Sequence, residues 1–211
     1  MRVLSLFDAT GHWASGAPVG ADIVTVDLAG IHGPRLVNGR PMHHIVHDVR
    51  SFEPPASWAG RCDVLLGAPP CEALGTLGHH ARARGVAKMT VEQGLALVQT
   101  CLSWVERLQP SIWCVENPSR SLAWTVIPLR QVVLWGWWGY PADKATGLGG
   151  EFQPVCAPFP LPHIDPTENG RRPCALKKGV GGVQAMAHKD RAKTPLRFAR
   201  AWWDAQAERL P

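Results

Sequence analysis

The chain reads as an α/β domain with a mainly parallel sheet and helices on both faces. Two observations predict this. Short apolar runs recur through the first two-thirds, each ending in polar residues at a turn, and one long segment among them has helical periodicity. A third observation is size: 211 residues, 45% hydrophobic and 18% charged, suffice for one domain with a sizeable core.

Taken in order, Val3 to Phe7 is the first strand, and Asp8-Ala9-Thr10-Gly11 turns it toward a short helix. Ile23 to Asp27 is the second strand and ends in an acid, and His44-Ile45-Val46 ends at His47-Asp48. Val64 to Gly67 ends at Ala68-Pro69-Pro70-Cys71. Between Thr90 and Leu108, apolar residues at 95, 98, 102, 105 and 108 recur at helical steps. Thr90 and Gln93 have capping-box spacing, and Pro110 stops the helix. Ser111 to Val115 is a further strand, running into Glu116-Asn117-Pro118. From about 147 to 182, glycine, proline and basic residues predict an irregular excursion, so residues 1–211 read as one domain. Thr194 to Leu210 closes the chain as an amphipathic helix with Pro195 in its first turn.

Composition bounds the partners. Twenty-two Lys+Arg against 17 Asp+Glu give a net charge of +5, a balance that suits a phosphate-bearing partner. No apolar run approaches the length of a membrane span, and Asp8 ends the first run too early for a signal peptide; a cytoplasmic protein is expected. The six cysteines form no CxxC pair, so reduced thiols are expected. Cys156, His163 and Cys174 match no usual zinc spacing, and no metal site is predicted. The ten tryptophans read as core mass, and histidines 43, 44, 47, 79 and 80 as exposed loop residues.

Asp8, Asp27, Asp48, Cys71 and Glu116 all stand where strands end, so in such a sheet they converge on one crevice. An acid after the second strand suits a ribose diol, while the first turn lacks the full G-x-G-x-x-G pattern of a pyrophosphate site. An adenosine cofactor without a diphosphate fits both facts, and S-adenosylmethionine is one.

The ordered motifs resemble those of the DNA cytosine-5 methyltransferases, especially short phage-type members. Leu6-Phe7-Asp8-Ala9-Thr10-Gly11 is similar to their first cofactor motif, Val26-Asp27 to the second and His47-Asp48-Val49 to the third. Ala68-Pro69-Pro70-Cys71 resembles the nucleophile loop, and Val115-Glu116-Asn117-Pro118 the motif that recognises cytosine. Lys193-Thr194-Pro195 resembles the motif closing the cofactor pocket. The resemblance implies a Rossmann-like fold binding S-adenosylmethionine through Phe7, Asp8, Thr10, Gly11, Asp27, Asp48 and Thr194. It implies that Cys71 adds to C6 of cytosine, that Glu116 acts at N3, and that Pro70 and Asn117 hold the catalytic loops. Pro118, Lys144 and Thr146 are the implied substrate contacts.

His12 stands where the family has glycine, and Gly139-Tyr140-Pro141 is followed by Lys144 and Thr146 instead of paired arginines. No separate target-recognition domain fits between Thr146 and Lys193. The implied substrate is therefore DNA, single-stranded or presented by a partner subunit, or else a free cytidine nucleotide. A non-catalytic nucleic-acid-binding relative of the fold is the other reading.

Overall fold

In the computed structural model, residues 1–58, 60–75, 79, 83–85, 88–138, 144–158 and 193–211 are described. Eight strands form one sheet: β1 (Arg2–Leu6), β2 (Asp22–Asp27), β3 (Gly33–Val37), β4 (Arg40–Val46), β5 (Val64–Gly67), β6 (Ile112–Pro118), β7 (Leu129–Leu134) and β8 (Ala145–Glu151). Their spatial order is β3-β4-β2-β1-β5-β6-β8-β7. Strands β4, β2, β1, β5 and β6 are mutually parallel. β3 lies antiparallel to β4 at one edge, and β8 antiparallel to both β6 and β7 at the other. The expected α/β class is thus observed, as a mixed, mostly parallel sheet.

Alternation along the strands divides the core between two faces. Val3, Ile23, Val64, Leu66, Ile112 and Cys114 point to one face, where they meet Phe198, Trp202 and Trp203 of helix α2 (Leu196–Gln206). Leu4, Leu6, Val24, Val26 and Leu65 point to the other, packing beside Trp104 and Leu108 of helix α1 (Val91–Leu108). Helix α1 starts as expected: the Thr90 hydroxyl accepts from the Gln93 amide and the Gln93 side chain accepts from the Thr90 amide. Gln109 ends it in the left-handed conformation, just before Pro110.

Three strands go beyond the sequence reading. Parallel neighbours β2 and β4 need a crossover, and here it is the edge strand β3 rather than a helix. β7 and β8 follow β6, so residues 147–151 are strand where an irregular excursion was expected. Residues 159–182 of that excursion, with His163, Cys174 and its basic residues, lie outside the described residues, as do 183–192 and 139–141. Two histidine expectations also change: His43 and His44 lie on β4, and His44 is fully buried. Its burial is balanced by hydrogen bonds at both ring nitrogens, to Thr25 and to the Ala29 carbonyl. The tryptophan expectation holds: Trp135, Trp138, Trp202 and Trp203 are buried together on the α2 face. Among the described residues no helix is long and apolar enough to cross a membrane.

Candidate active site

Strand order reverses between β1 and β5, which makes the crevice at their carboxyl ends the expected ligand site. All five sequence-predicted polar positions stand at that edge, after β1, β4 and β5, at the last residue of β2 and near the end of β6.

The β1 end turns sharply. The Leu6 carbonyl still accepts from the Ala68 amide and the Asp8 amide still donates to the Val26 carbonyl, while Phe7 between them has φ +58°. A bulky residue with positive φ is a strained position of the kind that collects at functional sites. Asp8 is 8% exposed and organises the turn: its carboxylate accepts from Ser5 Oγ at 2.8 Å, Thr10 Oγ1 at 3.1 Å and the Gly11 amide at 2.6 Å. Gly11 has φ +67°, a conformation that favours glycine, and a Cβ there would lie 2.5 Å from Met42 Sδ, so any side chain would also have to displace the end of Met42. Asp8, Thr10 and Gly11 therefore shape the loop by bonding one another. His12 follows it, and burial lowers the His12 pKa, with the Asp8 carboxylate opposing and the Lys193 charge adding to the fall.

At the β2 end, Asp27 Oδ1 accepts from the Ala29 amide at 2.8 Å. Burial raises the Asp27 pKa, and the Asp8 carboxylate adds to that rise. Asp48 is held by a near neighbour. Both its oxygens accept from the Arg50 guanidinium, as close as 2.5 Å, and these bonds lower its pKa to about 2. An adenine amino group meeting Asp48 would share it with Arg50, a partner that the sequence reading missed two residues away.

The β5–β6 end carries the two most reactive groups. β6 pairs with β5 only as far as Val115, then runs on through Glu116, Asn117 and Pro118 with β8 as its one ladder partner. Its freed side meets the Ala68–Cys71 loop: Asn117, fully buried, donates from Nδ2 to the Pro69 carbonyl at 2.8 Å. Beyond the prolines the chain makes one helical turn, with the Leu74 and Gly75 amides donating to the Cys71 carbonyl. The absence of side chains at Gly67 and Gly94 lets α1 approach: a Cβ at Gly67 would lie 2.9 Å from Cys101 Sγ, and one at Gly94 2.8 Å from the Ala73 Cβ.

Cys71 reaches solvent, unlike Cys62, Cys101 and Cys114, which are buried as the sequence predicts. It is nonetheless crowded by protein. Desolvation raises its thiol pKa most, the nearby Glu116 carboxylate raises it further, and Lys144 opposes both. Lys144 Nζ stands 3.5 Å from Glu116 Oε1, with side chains 19% and 14% exposed, and 3.8 Å from the Trp135 ring centroid. Cys71, Glu116 and Lys144 thus form one electrostatic unit. Pro118 sits opposite Thr146 in the β6–β8 ladder; Thr146 is fully buried, with no hydrogen bond to its Oγ1 among the described residues.

No family model matches the chain, and no curated protein matches it. Several solved structures do. One is a protein assigned as a DNA modification methyltransferase encoded within an E. coli prophage, 17% identical with a TM-score of 0.48, covering 70% of this chain and 45% of that one. Another is the Entamoeba histolytica methyltransferase EhMeth, at 11% identity and TM-score 0.44, covering 71% of this chain and 52% of that one. A third is the S. pombe Dnmt2 methyltransferase, at 16% identity and TM-score 0.41, covering 71% and 48%. The chain spans about half the length of these structures. Identities this low leave function to the side chains at the sheet edge.

Proposed function

We propose that the protein is an S-adenosylmethionine-dependent cytosine C5-methyltransferase acting on DNA. The observation that carries this reading is the unit of Cys71, Glu116 and Lys144 beside a loop edge suited to an adenosine. A solvent-reaching thiol within the field of a carboxylate and an ammonium is unusual chemistry for a merely structural cysteine.

Asp27 and the Phe7–Gly11 turn would hold the cofactor, whose contribution is an electrophilic methyl group. Cys71 would form a bond from sulfur to C6 of cytosine, breaking the C5=C6 double bond and making C5 nucleophilic. Glu116 would carry a proton toward N3 as charge develops on the ring. The two groups are linked: a negative Glu116 opposes a thiolate at 71, so placing a proton on the carboxyl eases thiolate formation. Asn117 keeps the two loops in register. After transfer, departure of the C5 proton re-forms the double bond and expels the Cys71 thiolate.

Incubating the protein and cofactor with a DNA strand carrying 5-fluorocytosine tests this. Because fluorine cannot leave as a proton does, a covalent adduct mapped to Cys71 by mass spectrometry is expected, and Cys71→Ser removes it. Duplex DNA, single-stranded DNA and dCMP as parallel substrates identify the form in which the base is presented; extrusion from a duplex costs a few kcal/mol, so the single strand should react fastest. No adduct with any of the three would refute the reading.

A further inference from the structure

One side chain outside the strand ends reaches both parts of the cofactor edge. Arg35 lies on the edge strand β3, and its guanidinium donates from Nη1 to the Ala9 carbonyl at 2.7 Å and from Nη2 to the Asp8 carbonyl at 3.4 Å. The same Nη2 donates to Thr25 Oγ1 at 2.9 Å. Thr25 is fully buried on β2 and lies 2.8 Å from His44 Nδ1 on β4. His44 Nε2 in turn lies 2.8 Å from the Ala29 carbonyl. A carbonyl only accepts, so Nε2 carries the ring proton and Nδ1 accepts from the Thr25 hydroxyl. Every hydrogen bond in the row then has a direction: Arg35 to Thr25, Thr25 to His44, His44 to Ala29. The Ala29 amide closes the row by donating to Asp27 Oδ1.

We propose that Arg35 is a positioning residue for the cofactor site, fixing the Asp8–Gly11 loop directly and the Asp27 turn through Thr25 and His44. This rests on the cofactor assignment made above. Two features of the geometry carry it. Gly11 passes so close to the guanidinium that a Cβ there would lie 3.0 Å from Nη2, so the loop is seated on Arg35. Gly30, next to Ala29, is similarly seated on His44, with a Cβ position 2.5 Å from Nε2. The β3–β4 hairpin thereby acts as a clasp: where a crossover helix would have covered the sheet, an edge strand delivers a charged side chain beneath the ligand loop.

The test separates loop geometry from ligand binding. Amide hydrogen exchange, followed by NMR on the full chain, reads the Gly11 and Ala29 amides, which donate to Asp8 and Asp27. In Arg35→Met, both should exchange at least tenfold faster, while ladder amides in β1 keep their wild-type rates. Arg35→Lys, which keeps the charge and one donor direction, should be intermediate. Thr25→Val should speed Ala29, because it cuts the row between Arg35 and His44. S-adenosylhomocysteine titrated calorimetrically into Arg35→Met should bind about tenfold more weakly, at a temperature well below the measured unfolding midpoint. Wild-type exchange at both amides in a folded Arg35→Met would overturn the proposal. Should that variant not fold, unchanged Ala29 exchange in Thr25→Val overturns it equally. Failure of the wild-type protein to bind S-adenosylhomocysteine would instead refute the cofactor assignment, with the exchange result still deciding the role of Arg35.

Discussion

Replacing Asn117 tests the link between the two reactive loops. The side chain is fully buried and its Nδ2 is the donor to the Pro69 carbonyl, at 2.8 Å. Asn117→Ala leaves that buried carbonyl without its donor, at a cost of about 1–3 kcal/mol of stability. Asn117→Asp should cost more, since it sets an acceptor against an acceptor and buries a charge. The bond also joins the strand carrying Glu116 to the loop carrying Cys71, so its loss loosens their spacing. A displacement near 1 Å at reacting atoms costs roughly 100-fold in rate. The expected pattern for Asn117→Ala is therefore a lower urea midpoint, a kcat reduced roughly 10- to 100-fold, and cofactor affinity close to wild type. Urea unfolding, calorimetry and transfer of a labelled methyl group to DNA measure the three quantities. A stable Asn117→Ala with wild-type kcat would show that this bond does not hold the site together.

Lys144→Met should raise the Cys71 pKa and Glu116→Gln should lower it, because the ammonium and the carboxylate act on the thiol with opposite signs. The pH dependence of iodoacetamide alkylation, in a Cys156→Ser/Cys174→Ser background, reads both, and shifts in the same direction would contradict the arrangement. Gly11→Ala forces a side chain into a φ of +67° against Met42 and should cost about 1–3 kcal/mol, visible as a lower thermal midpoint. Burial lowers the His44 pKa below its ordinary 6.5, so the unfolded chain binds this proton more readily than the folded one. Stability should then fall as pH drops through about 6.5 toward the folded value and be indifferent to this group above it. Thermal denaturation of His44→Gln should show a shallower slope over that window than wild type.

Much of this fold was legible because its parallel strands are short apolar runs that stop at a polar turn. Alternate residues of β1, β2 and β5 fill opposite faces, so their central residues are buried on both sides and mostly apolar, which makes them easy to read. Strand β8 was hidden by Gly147, Gly149 and Gly150, which look like loop residues. They are small because neighbours press on them: Cβ atoms there would meet Trp124 Cζ2 at 2.5 Å, Ile127 Cγ2 at 2.7 Å and the Trp113 carbonyl at 2.4 Å. β3 was hidden because only half its surface is covered and it begins Gly33-Pro34. Missing β3 meant missing Arg35, whose partners are 10 to 27 residues away and mostly backbone carbonyls, a kind of contact no local pattern announces. Glu116 and Cys71 were legible as ends of strands; their electrostatic link through Lys144 needed the β6–β8 pairing that brings residue 144 alongside.

Trp203 Nε1 donates to the Trp13 carbonyl at 3.0 Å across 190 positions, and Gly16 lies against Ala199 and Trp203. During synthesis at about 5–20 residues per second, the segment after β1 thus waits roughly 10 to 40 s for its packing partner. Until α2 emerges, the ribosome-bound chain can pair strands but cannot seal that face, and the Trp13–Gly16 segment lacks the surface it packs on. That face is therefore completed only when α2 docks.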